Sequence, residues 1–204
     1  MKIGILGAAT VGLTLATKFA VAGNDVVIAN SRGPESLAAA IAEAGSGARA
    51  ATVAQAVACD VVFLAVPWLK VPDVLTPDIA WDGRVLVDVT NIFESTAPNY
   101  RVADLKGDSG SEIVARLAPG AKVVKAFNTL PFKVIFAPTP ANLKRVLFVA
   151  GDDGEAVSTV SSLIGELGLH PVALGSNAVA GRLMELGGPL SSLELLTPAQ
   201  GASS

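Results

Sequence analysis

The sequence is poor in the residues that build cross-links and metal sites. Cys59 and His170 are the only cysteine and the only histidine among 204 residues. One cysteine cannot form an internal disulfide or a multi-cysteine metal site, and it is consistent with a reducing cytoplasm. His170 stands beside Pro171, with no pattern of Ser, Cys or carboxylate residues that would mark a catalytic triad. We therefore expect no catalytic side chain, no metal ligand and a cytoplasmic location.

Charged residues are also scarce, and no stretch of the chain is strongly basic. Asp, Glu, Lys and Arg together make up 16% of the residues, and the net charge is -3. Because nucleic-acid-binding surfaces carry clustered Lys and Arg, nucleic acid is not expected as a partner. Long apolar runs are missing too, since the stretch 50–69 is interrupted by Gln55, Asp60 and Pro67. We therefore expect no membrane span and a soluble protein.

Apolar residues, in contrast, make up 51% of the chain, enough for the core of one domain. Short β-branched runs alternate with longer Ala- and Leu-rich stretches of helical spacing, an order typical of a parallel sheet. The predicted strands cover residues 2–6, 25–29, 48–52, 60–65, 84–89, 121–127, 145–150 and 171–174. The predicted helices cover residues 10–22, 34–44, 53–58, 68–75, 110–117, 153–167 and 177–186.

Most of the predicted strands are apolar on both faces, as expected where helices cover both sides of a sheet. The sequence therefore predicts an α/β fold of Rossmann type, a doubly wound and mostly parallel sheet of about eight strands with helices on both faces. Residues 1–190 would form this single domain, and residues 191–204 would be a flexible tail because they end in small polar residues. Apolar positions within 178–196 could pack on the chain's own sheet or on a second subunit.

The longest stretch without a clear pattern runs from about residue 91 to 109 and is rich in Pro, Asn, Ser, Asp and Gly. Loops of this length are usually functional or mobile. This loop follows the fifth predicted strand at its carboxyl end, where open α/β sheets bind ligands. A lid over a substrate and an ordinary insertion are both consistent with the sequence.

A glycine-containing turn follows the first predicted strand. In KIGILGAATVG, Gly7, Ala9 and Gly12 stand at the positions of a G-x-G-x-x-G dinucleotide fingerprint, although Ala9 replaces the second glycine. Gly7 would allow the tight turn, Gly12 would let the helix lie close to the sheet, and the first helical amides would face a pyrophosphate. The predicted binding residues here are Gly7, Ala8, Ala9, Thr10, Val11 and Gly12. The alternative is a strand–helix corner that binds no ligand.

The residues after the second predicted strand indicate which dinucleotide is bound. Asn30, Ser31 and Arg32 stand where NAD-specific domains usually present a carboxylate to the ribose hydroxyls. A carboxylate would repel a 2′-phosphate, whereas Ser31 can donate a hydrogen bond and Arg32 can offer a planar cation. The sequence therefore favours NADP(H) over NAD(H), against the alternative of a solvated arginine in an exposed loop.

Several stretches at similar spacing carry a family resemblance from Met1 to about Gly188. They are GILGAATVG, NSR, FLAVPW, LVDVTN, LAPGAKVVKAFNTLP, RVLFVAGDD and LGLHPVALGS. The chain resembles the NADP oxidoreductases that depend on the deazaflavin coenzyme F420, and also the soluble reductase domain of the six-transmembrane metalloreductases. This resemblance implies direct hydride transfer between nicotinamide and a second redox ring. Such chemistry requires no acid or base from the protein.

The resemblance also implies a homodimer and further site residues. Ala65, Val66 and Pro67 would border the ribose and nicotinamide, and Trp68 would wall the site. Thr90, Asn91, Asn128 and Thr129, which follow the fifth and sixth predicted strands, could hold the carboxamide or the second ring, although such residues are also common turn formers. Lys125 and Lys133 could meet an anionic coenzyme tail, although solvated surface lysines are more common.

Several other functions remain open from the sequence alone. One is an NADPH-dependent flavin or ferric reductase that uses the same NADPH site with a flavin. Another is a module that senses NADPH without turnover, because a fold does not fix a function. A dehydrogenase of the 3-hydroxyacid or imine-reducing kind would need a further large helical domain, for which little chain remains after the eighth predicted strand.

Overall fold

The computed structural model describes residues 1–45, 47–95 and 99–199, and in these ranges nine strands form one sheet. The strands are β1 Lys2–Leu6, β2 Asp25–Ala29, β3 Arg49–Ala50, β4 Val61–Leu64, β5 Val85–Asp88, β6 Lys122–Ala126, β7 Leu143–Gly151, β8 His170–Ala173 and β9 Leu196–Pro198. Each of the eight predicted strands is present, and β9 was not predicted.

The strand order is β3-β2-β1-β4-β5-β6-β7-β8, and β9 pairs with β7 outside this path. Neighbouring strands from β3 to β6 run parallel, as do β7 and β8, whereas β6 and β7 run antiparallel. The order reverses between β1 and β4, which is the switch point where such sheets bind ligands at their carboxyl edge. The predicted doubly wound, mostly parallel fold is confirmed.

The helices follow the predicted alternation. They are α1 Thr10–Val21, α2 Ala38–Ala44, α3 Val53–Val57, α4 Val71–Val74, α5 Gly110–Leu117, α6 Phe132–Ile135, α7 Gly154–Glu166 and α8 Arg182–Met184. Short 3-10 turns, Pro34–Leu37 and Trp68–Lys70, lead into α2 and α4, and a π-helical turn, Asn177–Gly181, leads into α8. The sequence analysis missed α6, because one turn of four residues is too short to show a helical period.

Both faces of the sheet are buried, which explains the uniformly apolar strands. Successive strand side chains point to opposite faces, so Phe63 packs in one core cluster while Val62 and Leu64 pack in the other. The Phe63 ring lies 4.9 Å from that of Phe19 on α1. Trp81 is fully buried in the second cluster. The two clusters fix the sheet between helical layers.

The C-terminal segment differs from the predicted flexible tail. Leu196–Pro198 pairs antiparallel with the start of β7, Glu194 forms an ion pair with Arg145 at 2.8 Å, and the Ser192 amide donates to the Thr129 carbonyl at 2.7 Å. The prediction was based on the small polar residues of this segment. Such a local composition gives no information on pairing with a strand that is distant in sequence. Residues 200–204 of the predicted tail lie outside the described residues.

The apolar positions of the C-terminal segment divide between the core and the surface. Ala180 and Met184 pack against β7 residues, with Leu190 partly buried beside them. Val179 and Leu183 are exposed by 68% and 40%, so packing on the chain's own sheet accounts for only part of this face. A homodimer stays a prediction. In the described part of the chain, the helices are all too short or too polar to cross a membrane.

Candidate functional site

The register of the parallel strands aligns their carboxyl ends in one row. Leu6 of β1 pairs with Ala29 of β2 and with Leu64 of β4. Leu64 pairs with Asp88 of β5, and Asp88 pairs with Lys125 of β6. The residues that immediately follow these positions therefore meet at one edge of the sheet, although they are far apart in sequence.

The turn between β1 and α1 is shaped by its two glycines. Gly7 has φ of 110°, a conformation that other residues rarely adopt. A Cβ added at Gly7 would lie within 3.0 Å of the Ala65 carbonyl oxygen, and a Cβ added at Gly12 would lie within 3.0 Å of the Gly7 carbonyl oxygen. The glycines thus let β1, the start of α1 and the end of β4 approach one another closely, as the fingerprint predicted.

The start of α1 offers free backbone amides to this edge. The helix begins at Thr10 after Ala9, whose methyl side chain cannot accept a hydrogen bond from those amides. The first amides of a helix have no acceptor within the helix and carry partial positive charge. A helix start of this kind suits an anionic group such as a pyrophosphate.

The loop after β2 is held by its own asparagine. The Asn30 side chain accepts from the Arg32 amide at 2.9 Å and donates to the Ser36 hydroxyl at 2.9 Å. Asn30 therefore shapes the loop, while Ser31 and Arg32 are exposed. A carboxylate at position 30 or 31, typical of NAD-specific domains, is replaced here by neutral side chains.

A cavity of about 410 Å³ lies beside this loop, and we call it the β2-side cavity. Gly7, Ser31 and Pro67 line it together with Lys70 and Thr76. Lys70 is a cation that the sequence analysis missed. Its ammonium lies 3.0 Å from Asp73 and remains largely exposed. No sequence signal marked Lys70, because only the 3-10 turn after β4 brings it to the cavity.

A second cavity, of about 270 Å³, lies on the other side of Val66 and Pro67, and we call it the β5-side cavity. Within the described residues, every side chain that lines it is uncharged. Trp68, Phe93 and Tyr100 give it aromatic walls, and the Phe93 and Tyr100 rings lie 5.0 Å apart. This cavity has the composition that a flat, largely apolar ring would fit.

Thr90 and Asn91 present hydrogen-bond acceptors at the β5-side cavity. The Thr90 hydroxyl donates to Asp88 at 2.7 Å, which leaves its oxygen as an acceptor toward other groups. The Asn91 amide group donates to the Asn128 carbonyl at 3.3 Å. Among the described residues no donor reaches the buried Asn91 Oδ1. A ligand with an N–H donor would satisfy these oxygens.

Asn128 lies behind this wall rather than on it. Its Nδ2 donates to the Met184 carbonyl at 2.8 Å, and its side chain is buried. Asn128 is absent from the described residues that line either cavity. It therefore connects the end of β6 to the C-terminal helix and supports Asn91 through its backbone carbonyl.

Lys125 is not the surface lysine that the sequence suggested. Its side chain is fully buried, 3.1 Å from Asp88 and 3.3 Å from Glu185. A lysine can be buried in a central strand when carboxylates from elsewhere in the chain pair with it. The prediction was wrong because those carboxylates are distant in sequence. We call Asp88, Lys125 and Glu185 the buried charge cluster.

Burial and charge pairing compete over the pKa values in the buried charge cluster. Burial pushes the pKa of Asp88 up, but Lys125 and hydrogen bonds from Ser111 and Thr90 outweigh burial and hold it below its ordinary value. Burial pushes the pKa of Lys125 down, but both carboxylates raise it above its ordinary value. The pKa of Glu185 is raised by burial, against the pull of Lys125. Asp88 and Lys125 are therefore an ionised pair at neutral pH.

The described residues of the loop after β5, 91–95 and 99–109, include two antiparallel segments beside the β5-side cavity, and we call these two segments the hairpin. Phe93 and Val102 form an antiparallel bridge, and the Glu94 amide donates to the Arg101 carbonyl at 2.8 Å. Phe93 and Tyr100 on this hairpin line the cavity, so the loop is part of the wall. Residues 96–98 lie outside the described residues.

The structure brings ten of the fifteen predicted binding residues to the cavities. Gly7, Asn30, Ser31, Val66 and Pro67 line the β2-side cavity, and Ala9, Val11, Ala65, Val66, Pro67, Thr90 and Asn91 line the β5-side cavity. Ala8, Thr10, Gly12, Arg32 and Asn128 stand nearby without lining either one. The sequence analysis missed the aromatic pair Phe93 and Tyr100. The signal that could have identified them is the position of their loop, directly after the fifth predicted strand.

Comparisons with known proteins add to this geometry. The family model described as NADP oxidoreductase, coenzyme F420-dependent, matches residues 2–92. The chain is 32% identical over 180 residues to the metalloreductase STEAP3 of Rattus norvegicus, covering 88% of this chain and 35% of the relative. This chain thus spans about a third of the length of that curated relative.

Two solved structures are similar along most of their length. A hypothetical protein from Sinorhizobium meliloti is 41% identical with a TM-score of 0.87, covering 97% of this chain and 96% of that one. A protein described as an F420-dependent NADP reductase, from Arthrobacter sp. FB24, is 28% identical with a TM-score of 0.72, covering 89% of this chain and 87% of that one. The likeness therefore extends beyond the residues that the family model matches.

Proposed function

We propose that this chain, which matches the family model described as NADP oxidoreductase, coenzyme F420-dependent, over residues 2–92, transfers hydride between NADP(H) and a deazaflavin coenzyme of the F420 type. The match to this family model supports an NADP-dependent oxidoreductase, and the aromatic walls of the β5-side cavity support a flat second redox ring. The observation that carries the proposal is the pair of cavities that flank Val66 and Pro67 at the carboxyl edge of the sheet.

The chain's own residues suit NADP(H) along this edge. The amides of Thr10 and Val11 would hold the pyrophosphate at the start of α1. The adenosine half would lie in the β2-side cavity, where Ser31 and Lys70 can bind a 2′-phosphate and Arg32 can approach from the exposed loop. Neutral side chains after β2 remove the repulsion that a carboxylate would cause.

The nicotinamide half would lie in the β5-side cavity. Its carboxamide N–H groups match the acceptors of Thr90 and Asn91, and the buried Asn91 Oδ1 gains a partner in this way. Ala65, Val66 and Pro67 would border the ribose. These residues orient the ring, while the aromatic walls exclude water from the space next to it.

When bound, NADPH supplies the hydride, so the chain needs no acid or base of its own for that transfer. Trp68, Phe93 and Tyr100 would hold the second ring against the nicotinamide by stacking and apolar contact. The uncharged lining of the β5-side cavity favours a neutral flat ring at this position. An anionic tail on such a ring would have to extend out of the cavity into solvent.

A flavin or ferric reductase is the second candidate. The 32% identity to a metalloreductase favours it, and a flavin ring would fit the same aromatic walls as a deazaflavin. The two candidates share the NADPH site and differ only in the acceptor. A module that senses NADPH without turnover would bind NADPH in the same way but would not oxidise it.

Mixing the protein with NADPH and either deazaflavin F420 or FAD separates these functions. We expect the oxidised deazaflavin to bleach with multiple turnovers, because its flat ring fits the β5-side cavity beside the nicotinamide. Absorbance of each acceptor and of NADPH is the measurement. Bleaching of FAD alone would identify a flavin reductase, and NADPH binding without oxidation by either acceptor would identify a sensor. Both of those outcomes contradict the proposed deazaflavin activity.

Arg32→Ala tests the assignment of the 2′-phosphate. The variant should weaken NADPH binding by about 1.5–3 kcal/mol, because a charge-assisted hydrogen bond is lost, and should leave NADH binding nearly unchanged. Isothermal titration of both coenzymes is the measurement. Arg49→Ala is the control, because Arg49 is exposed and pairs with Asp25 at the opposite end of β2. Equal losses for NADPH and NADH in Arg32→Ala would refute the assignment.

A further inference from the structure

The buried charge cluster holds the turn that lines the β5-side cavity. Asp88 Oδ1 accepts from both the Thr90 amide at 2.9 Å and the Thr90 hydroxyl at 2.7 Å. Lys125 donates to the Thr90 carbonyl at 3.4 Å and pairs with the other Asp88 oxygen at 3.1 Å. Every polar group of Thr90 is thereby tied to the cluster, and the next residue is Asn91.

The same cluster joins two other segments behind the cavity. Ser111 on α5 donates to Asp88 at 2.6 Å. Glu185, directly after α8, accepts from the Gly110 amide at 2.9 Å and pairs with Lys125. The turn after β5 is therefore fixed by groups from β6, α5 and the C-terminal segment.

Stability alone does not account for a cluster of this kind. Buried ion pairs cost desolvation energy, and apolar residues of similar volume often stabilise a core equally well. This cluster in addition fixes the direction of the Thr90 hydroxyl hydrogen, which points to Asp88 and away from the cavity. The hydroxyl can then only accept a hydrogen bond from a ligand.

We infer that Asp88, Lys125 and Glu185 are positioning residues that hold Thr90 and Asn91 as hydrogen-bond acceptors for the nicotinamide carboxamide. This inference rests on the proposed function and assigns to the cluster a selective effect on the nicotinamide half of the coenzyme. The adenosine half binds at β2 and α1, which the cluster does not touch.

The inference is tested by titrating the protein with two ligands in the absence of turnover. One ligand is NADP⁺ and the other is 2′-phospho-ADP-ribose, which lacks nicotinamide, and the binding affinity of each is measured. The test variant combines Asp88→Leu, Lys125→Met and Glu185→Gln, so that no charge is left unpaired. NADP⁺ affinity should fall by about tenfold or more, because the Thr90 acceptor is no longer held, while 2′-phospho-ADP-ribose affinity should change by less than about twofold. Equal loss of both ligands, or no loss of either, would overturn the inference.

A rescue variant separates positioning from packing. In the same background, Asp88→Asn in place of Asp88→Leu returns an acceptor oxygen to Thr90 without returning charge. We expect it to recover most of the NADP⁺ affinity, and failure to recover any would count against the inference. If the leucine variant does not fold, Asp88→Ser in that background replaces it, because serine is too short to hold both Thr90 donors, and the same selective loss is expected.

Arg145→Met is the control for a lost buried charge. Arg145 is 5% exposed on β7, pairs with Glu194, and donates to the carbonyl groups of Ile135 and Ala137. The variant should lower stability without changing the ratio of the two ligand affinities, and a changed ratio would contradict a selective role of the cluster. If the wild-type chain binds neither ligand, the proposed function itself fails, and this inference fails with it.

Discussion

Replacing Lys125 with Met should destabilise the fold by about 3–5 kcal/mol, because it leaves two buried carboxylates without their cation. Asp88 and Glu185 both face the Lys125 ammonium within 3.3 Å. In the variant, Asp88 would lose the attraction that holds its pKa below the ordinary value, and burial would then favour its neutral form. Urea denaturation of both proteins at neutral pH is the measurement. An unchanged slope of the free energy of unfolding against urea concentration would confirm that the two proteins expose a similar surface on unfolding.

Lys122→Met provides the matched comparison on the same strand. Lys122 pairs with Asp153 at 2.9 Å, with about a third of each side chain exposed. Its loss should change the free energy of unfolding little, because solvent screens an exposed ion pair. A loss for Lys125→Met as small as the one expected for Lys122→Met would show that the buried charge cluster does not stabilise the sheet.

Gly12→Ala should lower NADP⁺ affinity by about 100-fold or more, because it forces the start of α1 away from the β1 turn. The added Cβ would lie within 3.0 Å of the Gly7 carbonyl oxygen, where real Cβ atoms essentially never lie. Relief requires the helix start, with its pyrophosphate-binding amides, to move. We also expect a loss of about 1–3 kcal/mol in the free energy of unfolding from overpacking. Titration with NADP⁺ and urea denaturation give the two values.

Gly165→Ala is the control for the helical propensity of alanine. Gly165 lies in α7, and a Cβ added there meets no described atom within 4 Å. This variant should be stabilised by about 0.5–1 kcal/mol and should bind NADP⁺ as the wild type does. If Gly12→Ala behaves in the same way, α1 does not need close contact with the turn, and the fingerprint interpretation is wrong.

The accuracy of the sequence predictions follows the range of the interactions involved. The strands and the helices longer than one turn were predicted because their apolar period and bounding turn residues are local in sequence. The fold of the loop from residue 91 was not predicted, because its hairpin depends on a bridge between Phe93 and Val102. For the same reason β9 was missed, since only its partner β7 makes it a strand.

The site was predicted in part, and the division has a physical cause. Gly7 and Gly12 could be recognised because a tight turn and a close helix approach restrict the local residue type. Lys125 was misplaced because its environment comes from Asp88, 37 residues away, and from Glu185. Asn128 was placed at the ligand, but its amide is held by the Met184 carbonyl, 56 residues away.

The amino-acid sequence by itself determined the alternating elements, the turn after β1 and the absence of a carboxylate after β2, since each follows from short-range backbone and side-chain chemistry. Only the tertiary structure decided that the ends of β1, β2, β4 and β5 form one edge with two cavities. The tertiary structure also decided that Lys125 is buried and that Tyr100 of the loop lines the site. These features depend on strand register and on partners distant in the chain, which no local pattern encodes.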